Sequence, residues 1–303
     1  MKKHKGTIIM LLFFFMGLMV LLYPSLSNFY NQKVQSNAVA DYEKLLTDYN
    51  EDDCANILNE AIEYNNKLKT LENPLLTHSK IDNYEKILNV NGNGMMGYLE
   101  INKIKVELPI YHGTSSEVLS KAVGHIEGTS LPIGGTGTHS VLSAHRGLPS
   151  FKLFTDLDKL EIGDTFTITL LDQILTYEVD YIIIVKPNEI EELAINSKED
   201  YVTLLTCTPY GINTHRLLVR GKRINTEEEK KTYVTTECFR ISNLIVTPIV
   251  AMPIILSLLL IILISPVEID NKELEKYIYP NKDKNKKETQ IGKKVESNEK
   301  NKK

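Results

Sequence analysis

Two stretches of the chain carry no charged side chain, and they constrain it more than any other feature. Residues 6–23 read GTIIMLLFFFMGLMVLLY, and residues 244–266 read LIVTPIVAMPIILSLLLIILISP. A helix needs about 20 apolar residues to cross the hydrocarbon core of a bilayer. The second run meets that length, and the first meets it once extended through Leu26. Transmembrane helices are therefore expected over 7–26 and 244–266. Pro248 and Pro253 do not oppose this, because membrane helices tolerate proline. A cleaved signal peptide competes for the first run: Lys2, Lys3 and Lys5 make a basic start, and Ala38-Val39-Ala40 has the A-x-A form. That tripeptide lies about fifteen residues past the apolar run, too far for an ordinary cleavage region, so an uncleaved anchor fits better. A buried core helix competes for the second run, against its length and the lysine-rich tail behind it.

The distribution of charge then sets an orientation. Formal net charge over 303 residues is -4, yet residues 1–6 carry three Lys and no acid, and residues 267–303 carry 11 Lys against 8 acids. About -10 is left for the middle of the chain, where a nucleic-acid-binding surface would need a basic stripe. Nucleic acid is excluded as a partner on that ground. Lysines flank the outer side of each apolar run, so the positive-inside rule places both termini in the cytoplasm and residues 27–243 outside a two-pass cell-membrane protein. Three Cys, none in a CxxC spacing, argue against a thiolate zinc site or a redox pair.

The expected order of segments is a cytoplasmic start (1–6), a membrane helix (7–26), a helical stalk or cap (27–69), a lid and linker (70–94), a β-rich domain (95–225), a juxtamembrane linker (226–243), a second membrane helix (244–266) and a Lys-rich disordered tail (267–303). Val39, Tyr42, Leu45, Leu46, Ile57, Leu58 and Ile62 recur at steps of three and four, as an amphipathic helical pair requires. From Met96 the pattern shortens to YLEINKI, VELPIY, HSVLSAH, FTITLL, ILTYEVDYIIIV, YVTLLTC and HRLLVRG. Short apolar runs bounded by Gly and Asp turns read as strands of a barrel or sandwich. The tail holds too few apolar residues to order itself.

Chemistry concentrates at one strand end. Cys207 closes the run from Tyr201, and Thr208-Pro209-Tyr210-Gly211 must turn the chain at once. Beyond the turn, the strand His215–Arg220 would bring Arg216 back beside the thiol. His145 ends another strand, which a barrel could place nearby. A free thiol has a pKa of about 8.5, so a nucleophilic cysteine needs a positive neighbour, and acyl transfer from an amide needs a proton donor for the departing amine. Cysteine, histidine and arginine supply those functions, with arginine also able to hold a developing oxyanion. Spacing alone leaves a buried structural cysteine and a structural histidine open.

The run Thr203-Leu204-Leu205-Thr206-Cys207, with Arg216 nine residues after the cysteine, resembles the TLxTC and downstream Arg signature of sortases. His145 in Ala-His-Arg-Gly resembles their catalytic histidine. Three blocks, 124–150, 153–164 and 204–221, are most similar to class C, the pilin-polymerising sortases. The resemblance covers roughly residues 85–224. It implies a mainly β fold, a closed eight-stranded sortase β-barrel with N-terminal helices, flanked here by the two transmembrane helices. It also implies that Cys207 attacks the Thr–Gly carbonyl of an LPxTG-like sorting signal, that His145 serves as acid and base, and that Arg216 holds the substrate backbone or oxyanion. No metal or organic cofactor enters that cycle. The implied partners are pilin subunits on a Gram-positive surface, one of which supplies the acceptor lysine. Alternatives are a sortase that anchors proteins to a peptidoglycan precursor amine, a hydrolase, and a non-catalytic membrane scaffold that keeps the barrel.

Members of class C often carry a lid with a D-P-aromatic motif over the cysteine and arginine. This chain reads Asn73-Pro74-Leu75-Leu76-Thr77-His78 there, without that triplet. A solvated loop is the expected place of His78, and structural roles are expected for His125, His139 and His215. Leu131-Pro132-Ile133-Gly134-Gly135 looks like a sorting signal without its threonine, and reads as a turn inside the domain. Cys54 and Cys238 are expected to be free.

Overall fold

The structure is a computed structural model that describes residues 5–225 and the single helical position 255. The linker 226–243, the rest of the second apolar run, the tail and Cys238 lie outside the described residues.

Helix α1 (Lys5–Leu46) is continuous through the first apolar run and the expected stalk, with Pro24 inside it. At 1.5 Å per residue its 42 residues extend about 63 Å. Its first half leaves Leu12, Phe13, Met16 and Met19 exposed, whereas Val39, Tyr42 and Leu46 in its second half are buried against the domain. Met10–Leu46 is the one helix among the described residues long and apolar enough to cross a membrane. The segments expected over 7–26 and 27–46 run as one continuous helix, because Pro24 removes a single backbone donor and no glycine follows within it to stop the helix.

Helix α2 (Glu51–Lys69) starts at a capping box. Asn50 Oδ1 accepts from the Asp53 N–H at 2.8 Å, and an Asp53 carboxylate oxygen accepts from the Asn50 N–H at 3.2 Å. Three acids in its first turn and Lys67 and Lys69 in its last complement the helix dipole. Ala61, Tyr64, Asn65 and Leu68 form its buried face. Asn65 bonds both backbone groups of Leu131, accepting at 2.8 Å and donating at 3.2 Å, which fixes the Leu131–Gly135 stretch as an internal connection. A short helix, α3 (Pro74–Thr77), and two 3-10 turns at 78–80 and 84–86 lead to the barrel.

Eight strands follow: β1 (Met95–Ile101), β2 (Val106–His112), β3 (Val123–His125), β4 (Thr138–Ser143), β5 (Thr165–Leu170), β6 (Gln173–Val185), β7 (Asp200–Thr208) and β8 (His215–Ile224). They close in the order β1-β2-β3-β4-β7-β8-β6-β5. The expected closed eight-stranded barrel is present. Seven strands are legible as apolar runs, while β3, three residues long, is too short to show a period. The β2–β3 and β4–β7 pairs are parallel and the others antiparallel. Alternate residues of each strand fill the interior, among them Leu99, Ile110, Leu142, Ile168, Tyr177, Leu204 and Val219. Phe166 and Tyr177 stack there with centroids 5.6 Å apart.

Helix α1 runs the length of the barrel wall. Asn31 Nδ2 donates to Ser150 O at 2.9 Å, and Asn28 Oδ1 accepts from the Lys152 N–H at 3.0 Å. Farther along, Tyr42 OH donates to Met96 O and accepts from the Leu171 N–H, each at 2.9 Å. The helix therefore meets the barrel first beside the loop that follows β4 and last beside the start of β1.

Candidate active site

Cys207 stands next to the end of β7, and β7 and β8 form an antiparallel hairpin in which Cys207 is paired with Arg216. Paired residues on adjacent strands share a face. Arg216 is also paired with Val185, the last residue of β6. The guanidinium is held by its own turn: Nη1 donates to His215 O at 3.0 Å and to Asn213 O at 3.2 Å. Two bonds from one nitrogen leave the Nη2 and Nε donors for another acceptor.

His145 arrives from the other side. Parallel β4 sets Ser143 opposite Leu205. The pairing persists past the formal strand end, because the Ala144 N–H donates to Leu205 O at 3.2 Å and Thr206 Oγ1 donates to Ala144 O at 2.8 Å. One more step of that register sets His145 level with Cys207, on the same face. His145 O accepts from the Phe154 N–H at 3.1 Å, which fixes its backbone from the following loop. All three residues are half-buried. Strand geometry thus gathers at one barrel end the three residues that the sequence singles out.

Arg146 is a neighbour that spacing does not reveal. Its side chain is only 9% exposed, pairs with Asp158, and donates from Nη1 to Thr208 Oγ1 at 3.4 Å. It also lies 5.9 Å from the Tyr210 ring centroid. Arg146 therefore ties the segment after β4 to the end of β7, between the carriers of His145 and Cys207. Its adjacency to His145 is the one signal the sequence offers.

The remaining histidines among the described residues have partners of their own. His125 is fully buried, with Nδ1 accepting from Tyr84 OH at 2.8 Å and Nε2 donating to Ser130 O at 2.8 Å. That arrangement suits a neutral ring, and burial pushes its pKa down to about 4. His139 is set between Ala194 O at 2.9 Å and Thr203 Oγ1 at 2.7 Å, and burial lowers its pKa as well. His215 contacts Thr214 Oγ1 at 3.0 Å. His78 faces Glu127 at 3.4 Å on a half-exposed surface. Cys54 is free and buried, and burial raises its pKa.

The outer face of β4, β7, β8 and β6 carries a second apolar cluster of Val141, Val185, Leu193 and Leu218, with Leu205, Ile183 and Ile126 partly buried against it. Leu75 of α3 packs onto this cluster. Leu205 lies two residues before Cys207 and on its face, and Val185 pairs with Arg216, so the cluster on which Leu75 packs extends to the candidate site. Gly128 lets the cover sit close: with φ +83, an added Cβ there would come 2.6 Å from Pro74 O and 2.8 Å from Leu75 Cα. Sequence reading misses Leu75, although it occupies the third position of an Asn-Pro-Leu triplet.

The family profile of the sortase domain matches residues 99–224. Sortase C1 from Streptococcus agalactiae superposes with a TM-score of 0.60 at 49% sequence identity, over 63% of this chain and 100% of that one. The chain belongs to the sortase family. Its class is C, as for the sortase C from Clostridium perfringens solved with the C-terminal cell wall sorting motif, which matches at TM-score 0.56 and 46% identity over 63% of this chain and 100% of that one. Sortase D of Bacillus subtilis (strain 168) is 33% identical over 131 residues, 42% of this chain. This chain spans 63% of the length of that curated relative. The sortase match covers the barrel and its closed sheet.

Proposed function

We propose that this chain is a membrane-anchored cysteine transpeptidase that cuts an LPxTG-like sorting signal between Thr and Gly and joins the acyl part to a pilin lysine, polymerising pili. The pairing of Cys207 with Arg216, with His145 one step along the parallel β4–β7 register, carries this reading. The Cys207 thiolate adds to the threonine carbonyl carbon, and Arg216 Nη2 or Nε donates to the oxyanion. The C–N bond breaks as protonated His145 gives its proton to the leaving glycine amine, which leaves a thioester. A lysine amine then attacks the thioester carbon, His145 takes the proton, and the thiolate departs. One isopeptide bond replaces one peptide bond, with no change of oxidation state.

The apolar first half of α1 supports the anchor, with residues 7–26 as the span and the domain outside. The structure of the Clostridium perfringens relative with the C-terminal cell wall sorting motif supports a peptide substrate of this class. Residues 70–82 are read as a lid whose Leu75 stands where class C members often place an aromatic.

Full-length protein, with and without Cys207→Ala, is incubated with an LPxTG-type peptide, then with a lysine-bearing pilin fragment, and followed by intact-mass spectrometry. A Cys207-dependent acyl-enzyme resolved into an isopeptide-linked product is the expected result. Resolution only by a cell-wall amine moves the function to peptidoglycan anchoring, resolution only by water makes it a hydrolase, and no adduct after removal of residues 70–82 leaves a scaffold.

A further inference from the structure

The Cys207 end of the barrel is also the end where α1 arrives from its apolar half. Asn28 and Asn31 stand two and five residues past Leu26, about 3 Å and 8 Å along the helix axis. They hold Lys152 and Ser150 of the loop that begins at His145. The headgroup layer is roughly 5–8 Å deep on each side of the hydrocarbon core. That loop is therefore level with lipid headgroups if residues 7–26 span the bilayer, and the start of β1, held by Tyr42, is about 21 Å farther along the helix.

A second observation is independent of the helix. Among the described residues of the barrel, the exposed large hydrophobic side chains are Ile162, Ile184, Tyr210 and Ile212. All four lie at the Cys207 end. Tyr210 and Ile212 are in the β7–β8 turn, 58% and 68% exposed. Ile184 is next to the last residue of β6. Ile162 lies between Glu161 and Asp164, both of which pair with Lys103 in the β1–β2 turn at the same end. The β7–β8 turn also touches the loop that α1 holds, since an added Cβ on Gly147 would come 3.1 Å from the Tyr210 ring. On α1 itself, the exposed Tyr23 and Tyr30 bracket the same level, where aromatic residues favour the membrane interface.

We propose that the Cys207 end of the barrel rests on the outer leaflet, with Tyr210 and Ile212 seated in the headgroup layer as interfacial contacts. The occupant of this apolar rim is the bilayer surface, because the rim and the end of the apolar span are level along α1. Cys207 then works within a loop's depth of the lipid, and its acyl donors are chains tethered so that the scissile bond lies close to the membrane. This inference rests on the proposed anchor.

The chain contains no Trp, so Ile212→Trp introduces a sole reporter. The full-length variant is placed in liposomes of phosphatidylcholine and phosphatidylglycerol, with and without lipids brominated near the carbonyl end of the acyl chains. The indole of the Ile212→Trp variant is expected to emit to the blue of a water-exposed one and to lose roughly half its intensity to brominated lipid, as an interfacially seated side chain would. Lys198→Trp, at the opposite end of the barrel, is expected to keep its intensity. Tyr210→Trp repeats the reading at a second position of the turn. Flotation of the same liposomes reports the anchor separately. Protein that floats while both turn variants are unquenched overturns the contact and leaves the anchor standing. Quenching in the turn variants no greater than in Lys198→Trp overturns it too, and protein that fails to float overturns anchor and contact together.

Discussion

Leu75→Ala tests whether α3 shields the thiol. Leu75 is half-buried on the cluster that includes Leu205 and Leu218, and no hydrogen bond of the α3 backbone reaches the barrel through it. The substitution removes three carbons. At about 0.8 kcal/mol per buried CH2, and with the site half-covered, the closed arrangement loses roughly 1 kcal/mol. A factor of ten corresponds to about 1.4 kcal/mol, so the open population rises about fivefold. If opening precedes reaction at Cys207, its labelling by a small methanethiosulfonate rises about fivefold as well. The assay uses a Cys238→Ser background, because Cys54 is buried and Cys207 half-buried. Mass spectrometry of the labelled peptide gives the rate. Unchanged labelling, with the thermal midpoint also unchanged, would show that Leu75 packs beside the site without controlling access to it. Deletion of residues 70–82 is expected to exceed the point variant, and a deletion that labels no faster than wild type refutes the lid outright.

Four further outcomes follow from the geometry. Gly128→Ala forces a Cβ to 2.6 Å from Pro74 O at φ +83, so it is expected to displace α3 and raise Cys207 labelling, with a loss of about 1 kcal/mol or more in a denaturant titration. Tyr84→Phe removes the donor to His125 Nδ1 and the acceptor of the Gly113 N–H, and a loss of about 1–3 kcal/mol in the same titration is expected. His125 has its pKa pushed from 6.5 to about 4 by burial, so the folded state binds fewer protons than the unfolded one between those values. Stability is therefore full above about pH 6.5, falls as pH drops toward 4 and levels below it; His125→Gln is expected to flatten that stretch of a stability–pH curve, and an unaltered slope counts against the assignment. Arg216→Lys keeps a charge but loses the fork of donors, so acyl-enzyme formation is expected to slow by about 100-fold or more with unchanged folding.

The barrel is legible wherever a strand is long enough to repeat. YVTLLTC and HRLLVRG read as strands by themselves, and a hairpin between them predicts the Cys207–Arg216 pairing. His145 is harder to place, since β4 and β7 are parallel and some sixty residues apart, so only the closed sheet brings them level. β3 leaves no trace, because three residues cannot show alternation. The continuity of α1 is hidden by its change of character at Leu26, from an apolar helix to an amphipathic one, which is a change of surroundings and not of backbone. Leu75 escapes for a related reason. A leucine after proline in a polar loop has no periodic partner, and only its packing against the outer apolar cluster gives it a meaning.

The candidate site divides its demands between two kinds of structure. Position is supplied by sheet ladders, in which Arg216 is fixed by neighbours on both sides and His145 by Leu205, Thr206 and Phe154 through its own strand end. Such ladders open only with the barrel, so the three backbone positions stay level with one another. The segment proposed to control access is α3, a single turn with no buried residue, set on the outer face by Leu75 and by the close approach of Gly128. A segment so weakly held can leave while the barrel stays intact. On that proposal, exchange of α3 for a substrate peptide requires that the peptide bury as much apolar surface on the outer cluster as Leu75 does. On the proposed function, a short sorting signal with a leucine and a proline would meet that requirement, and a polar peptide would not.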